Sequence, residues 1–167
     1  MHFRILVAGL LFNSVVTSFE AKAADDWHGY LNDKLLSGEK YGFLSSISDT
    51  SPVNKLRLVC HSNGLFTLSV DAALFTEATS LIKITVDKLP SVYLTARRVN
   101  GSYDIYNDSP EFWKLIAQMS AGIKLNIDSG AGSLHQHGLS GFTYSFLDVC
   151  GWSDDAKQFQ QYIDRYR

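Results

Sequence analysis

Paired histidines, two cysteines and one S-G-x-x-Y spacing are the residues of this 167-residue chain whose types and intervals could do chemistry. His135 and His137 stand two apart, so on a strand they leave the same face and could offer two ligands to a metal. A closed site needs a third and a fourth donor, and no nearby H-x-x-x-H, C-x-x-C or carboxylate cluster supplies them. The expectation is therefore no metal, with these histidines facing solvent. A serine nucleophile would need a strained strand-to-helix elbow of the G-x-S-x-G kind, and GLSGF, residues 138–142, does not spell one. Asp87, Asp104, Asp108 and Asp128 fall at turn positions, and Asp25, Glu111 and Asp154 at helix starts. Aspartate is used there for turns and caps, so no acid–base pair is indicated. SGAGS, residues 129–133, lacks the Lys-Ser/Thr ending of a phosphate loop and reads as a bridge between strands. The chain is expected to be non-enzymatic and to carry no cofactor.

Compartment follows from the first residues. Arg4, the apolar run ILVAGLLF and the small-x-small site Ala21-Lys22-Ala23 form a signal peptide over 1–23, leaving 24–167 as a single exported globular domain. An uncleaved anchor would need about 20 apolar residues, and Asn13, Ser14, Thr17 and Ser18 interrupt the run. The expected location is periplasmic or secreted, with no membrane span in the mature chain. Net charge is −2, and loss of Arg4, Lys22 and Glu20, two bases and one acid, takes it to −3. That balance does not favour nucleic acid. Cys60 and Cys150, an even pair in an oxidising compartment, are expected to form a disulfide. A loop of about ninety residues gives a chain-entropy stabilisation of at most about 4–5 kcal/mol.

The elements that must position these residues are read from periodicity. DDWHGYLNDKLL places Trp27, Tyr30, Leu31, Lys34 and Leu35 at helical spacing and predicts an N-terminal helix. Strands are predicted from the alternation of Tyr41, Phe43 and Ile47; of Leu56, Leu58 and Cys60; of Phe66, Leu68 and Val70; of Ile82, Ile84 and Val86; and of Val92, Leu94 and Ala96. Asn63-Gly64 and Asn100-Gly101 predict hairpins, the second leading into SYDIYN. Ser109 as cap, Pro110, the stripe Phe112, Leu115, Ile116 and Met119, and Gly122 as stop spell a helix. IKLNID, with Ile123, Leu125 and Ile127 inward, returns to strand, and SLHQH is a short last one. GLSGFTYSFLDVC reads as a helix capped by Ser140, with Phe142, Phe146 and Cys150 on one face, and DDAKQFQQYIDRYR as a terminal helix. The fold class is α+β, a mostly antiparallel, sandwich-like meander of six or seven strands with N-terminal, late and C-terminal helices.

Two surfaces could meet a protein partner. Tyr93, Tyr103 and Tyr106 lie near a hairpin that also carries Arg97 and Arg98, and tyrosine with arginine is the composition of an interface hot spot; ordinary cross-strand pairing is the competing reading. Ser140, Gly141 and Tyr144 form the S-G-x-x-Y spacing.

Leu56, Leu58 and Cys60 before a hairpin, then strands, a helix, a strand, and Gly138-Leu139 leading through a helix to Cys150, resemble the type VI secretion-associated VasI proteins and, more loosely, the invasion-associated locus B proteins. The likeness covers about residues 40–152; Cys60 comes one residue early, SLHQH is more polar than the family's strand, and the segments outside that range do not take part. The resemblance implies a periplasmic domain with one disulfide that acts as an accessory or interaction protein of the bacterial envelope through a protein partner. Ser140-Gly141-x-x-Tyr144 is also similar to the motif of periplasmic inhibitors of c-type lysozyme, which implies that Ser140 and Tyr144 contact an active-site cleft. An immunity protein against a periplasmic toxin is a third reading of a small, acidic, stapled domain.

Overall fold

The structure, a computed structural model, describes residues 26–32, 40–47, 55–71, 77–128, 134–156 and 159. The segments read as a signal peptide with its cleavage site, the SGAGS segment and most of the stretch read as a terminal helix lie outside the described residues.

Among the described residues, nine strands and two helices follow in the order β1 (Trp27–Asn32), β2 (Tyr41–Ile47), β3 (Lys55–His61), β4 (Phe66–Asp71), β5 (Thr79–Val86), β6 (Val92–Val99), β7 (Ser102–Tyr106), α1 (Pro110–Ala121), β8 (Lys124–Asp128), β9 (Leu134–Gly138) and α2 (Phe142–Cys150). A further helical turn begins at Asp154. The class is α+β, as expected. The strands make one antiparallel sheet in the order β1-β2-β3-β4-β7-β6-β5-β8-β9, nine where six or seven were expected. The chain meanders through β4, crosses to β5, and returns so that β7 closes against β4.

One sheet suffices because two helices cover its apolar face. Leu58, Leu68, Ile105, Leu94, Ile82, Ile84 and Ile127 are buried on that face, and α1 packs against β5 and β6 while α2 packs against β1 and β2. Each large side chain buried in this way contributes roughly 1.5–3 kcal/mol. Phe66, Phe146, Trp113 and Phe159 interlock edge-on or tilted between sheet and helices, and Phe142 stacks on Phe146.

The sheet curves until its first and last strands meet at one corner. Asp26 N donates to Ser140 O (3.1 Å) and Trp27 Nε1 to Gly138 O (3.0 Å). Ser46 Oγ on β2 and His137 Nδ1 on β9 share a buried 2.9 Å hydrogen bond.

Several expectations need correction. DDWHGYLNDKLL does not supply a helix over its described part: residues 27–32 are β1, paired with β2 from Trp27↔Ser46 to Asn32↔Tyr41. Trp27, Gly29 and Leu31 share the core-facing side, and Gly29 is chosen because a Cβ there would overlap the Val149 side chain of α2. In β2 the inward residues are Gly42, Leu44 and Ser46, and Tyr41 and Phe43 are half-buried on the outer face. Gly42 turns inward because the chain crosses Cys60 and α2 there: a Cβ would sit 2.6 Å from Cys60 Sγ. Ile123 precedes β8 and is exposed, so only Leu125 and Ile127 of the expected trio face inward. Ser109 stands at the N-cap of α1 but makes no side-chain cap bond.

The two Asn-Gly turns form as read. Asn100 and Gly101 both take positive φ, +45° and +88°, the requirement of a two-residue hairpin whose twist matches its strands. At the other, Gly64 takes φ +82° within a longer turn closed by His61 N to Leu65 O (2.9 Å).

Candidate functional site

Cys60 and Cys150 form the expected disulfide, with 5.9 Å between their Cα atoms. Both are fully buried, so the bridge pins the end of α2 to β3 beneath the surface. α2 begins after a tight reversal: Gly141, not Ser140, is its N-cap, in the left-handed region at φ +78°. A side chain there would cost roughly 1–2 kcal/mol, which accounts for glycine at that position. Ser140 sits one residue before the cap; its N–H donates to the Asp26 carboxylate (3.1 Å) and its carbonyl accepts from Asp26 N–H (3.1 Å).

The reversal brings the start of α2 against the end of α1. Thr143 Oγ1 donates to Ser120 O (2.8 Å), and Leu139 N donates to Ile123 O (2.8 Å). Asp87, itself at φ +48°, accepts from Ile123 N (2.9 Å) and Lys124 N (3.0 Å). Segments 120–123 and 139–143 are thereby tied side by side by one backbone bond and one bond from the Thr143 hydroxyl. Ile123, in the first segment, and Tyr144, the residue that follows the second, are the two most exposed large apolar side chains among the described residues, at 80% and 76%. Leu147, one turn on from Tyr144, is also exposed. Rigid backbone beneath exposed apolar surface is the arrangement that a partner can use at small ordering cost.

Sequence reasoning singled out Ser140, Gly141 and Tyr144 but missed Ile123. Its place in an apolar alternation with Leu125 and Ile127 read as inward, and only Gly122 just before it hinted that the strand had not begun.

The tyrosine–arginine patch is divided between the two faces of the sheet. Tyr93 and Arg97 lie on the outer face of β6, with Arg97 opposite Asp104 on β7. Arg98 leaves the other face at the exposed end of the strand, opposite Tyr103. Tyr103 is wholly buried in the core, which corrects its assignment as a partner contact. It belongs to the same inward alternation as Ile105, and its ring fills space that a smaller residue would leave empty. β6 and β7 pair only from Arg97↔Asp104 to Val99↔Ser102. Beyond that they part around a cavity of about 330 Å³, lined in part by Tyr93, Arg97, Tyr106, Asp108 and Glu111.

The histidine pair also departs from expectation. His137 is buried and hydrogen-bonded to Ser46, and His135 is half-buried, because both lie on the inward face of β9 opposite Leu125 and Ile127. Among the described residues no group of three His, Cys, Asp or Glu side chains is placed to hold a metal ion. No helix among them is long and apolar enough to cross a membrane.

Set against known proteins, this chain matches no protein-family model, no curated protein and no solved structure.

Proposed function

We propose that the chain is an exported, non-enzymatic accessory protein of the bacterial envelope that works by gripping a protein partner at the junction of α1 and α2. The observation that carries this reading is the exposure of Ile123 and Tyr144, the first on a segment bonded to Asp87 and to Leu139, the second in the first turn of α2, which Thr143 ties to Ser120. Backbone ordered in advance keeps the cost of binding small, and tyrosine is among the residues that dominate interface energetics. The buried disulfide fits an oxidising compartment, and the order of cysteines, hairpin, helix and closing helix supports a role like that of the VasI and invasion-associated locus B proteins.

The test is a photo-reactive residue at position 144 of the full chain expressed in its own host, with the same residue at Lys55 on the outer face of β3 as control. A discrete adduct from position 144 that disappears on Ile123→Asp is expected. Equal labelling from both positions, or none from position 144, rejects the reading.

A second reading rests on Ser140 and Tyr144 both being exposed, Ser140 in the reversal before α2 and Tyr144 in its first turn. That display suits insertion into a cleft, as in inhibitors of c-type lysozyme. Purified protein should then block lysozyme on cell walls, and Ser140→Ala with Tyr144→Ala should abolish the block. Inhibition that survives both substitutions removes this reading.

A further inference from the structure

Away from the helix junction, the outer face of the sheet carries a row that is complementary to itself. In register across four neighbouring strands stand Leu134 on β9, Asp128 on β8, Lys83 on β5 and Tyr93 on β6. Residues directly opposite in antiparallel pairs share a face, and this face is the one turned away from buried Ile82, Ile84, Leu94 and Ile127. Its ends are apolar and largely exposed, Leu134 at 60% and Tyr93 at 55%, and Leu81 at 67% stands beside them on β5. Its middle is one acid beside one base.

We propose that this face is the contact between two copies of the chain. A two-fold axis lying in the interface, parallel to the strands and between β8 and β5, sets Lys83 over the second copy's Asp128 and Tyr93 over the second copy's Leu134. Both contacts then occur twice, as an isologous pair requires. The four charges alternate in sign around the axis, so each has an opposite charge beside it and another across from it. The adjoining row is already satisfied within the chain: Gln136 Nε2 donates to Asn126 Oδ1 (2.9 Å), and Thr85 Oγ1 bonds Ser91 Oγ (2.8 Å). Those groups form a polar rim that the second copy need not satisfy. Neighbouring strands stand about 4.8 Å apart, so the four-strand row spans roughly 14 Å, the scale of a weak, concentration-dependent dimer.

Sedimentation of the exported, oxidised protein from about 1 µM to 1 mM tests this directly. The mass should rise from one chain toward two across that range. Lys83→Glu alone, or Asp128→Lys alone, should weaken self-association at least about tenfold, because each sets like charges face to face. Mixing those two variants should restore a dimer made of one chain of each, since both facing pairs become complementary again. Restoration on mixing also shows that neither variant had lost its fold. Tyr93→Ala should weaken association without altering the charge pattern. Monomer at every concentration overturns the proposal, as does a dimer indifferent to Lys83→Glu, or a mixture that stays monomeric. A different protein trapped at position 93 while the chain itself remains monomeric overturns it equally.

Discussion

Ser46 and His137 lie 91 residues apart in sequence and 2.9 Å apart in space, joined by a hydrogen bond inside the corner where the curved sheet brings β2 and β9 together. Both are buried, so the bond is screened from water and either partner removed leaves a polar group in an apolar setting. Ser46→Ala should therefore lower unfolding stability by about 1–3 kcal/mol. Urea denaturation followed by tryptophan fluorescence measures it, and a loss below about 0.5 kcal/mol would show that the corner does not depend on this bond.

The Cys60–Cys150 bridge encloses a 90-residue separation. Cys60→Ser with Cys150→Ser should cost about 2–5 kcal/mol. Alkylation of the unreduced protein should find no reactive thiol, and mass spectrometry reads this without any functional assay.

Gly42 faces both Cys60 Sγ and the backbone of Val149. Gly42→Ala forces α2 away from β2 and should destabilise by about 1–3 kcal/mol, with slower formation of the disulfide. Ile123→Ser and Tyr144→Ala make the contrast. Both side chains project into water, so each should leave stability within about 0.5 kcal/mol while reducing partner capture at least about tenfold. A large loss of stability from either would move these residues from the surface to the scaffold.

What the sequence disclosed and what it withheld divide along one physical line. Periodicity reported strongly in the central strands: β3, β4, β5 and β6 carry apolar residues at successive buried positions, and Asn100-Gly101 forms the turn that its positive φ values demand. α2 was legible for the same reason, since Phe142, Phe146 and Cys150 fall on one face. Failures arose where small residues mark crossings between elements far apart in the chain. In β1, Gly29 takes an inward position without an apolar side chain, because Val149 fills the space. Its absence from the hydrophobic count left Trp27, Tyr30 and Leu31 to mimic a helical period. Gly42 and Ser46 did the same to β2, shifting the apparent inward face to Tyr41 and Phe43. Tyr103 was misplaced through its chemistry, a hydroxyl suggesting surface where the pattern around Ile105 already said core. The outer-face row of Leu134, Asp128, Lys83 and Tyr93 was invisible because only the strand order makes neighbours of β9, β8, β5 and β6.

The placement of the bridge sets a timetable for a nascent chain. Any polypeptide that emerges amino end first presents Cys60 with its natural mate still to be made, and β3 and β4 can pair long before α2 exists to cover them. During that interval the sulfur is a solitary, oxidisable group open to capture by a stranger. Locking waits for the segment after Gly138, so maturation is necessarily a late and single event.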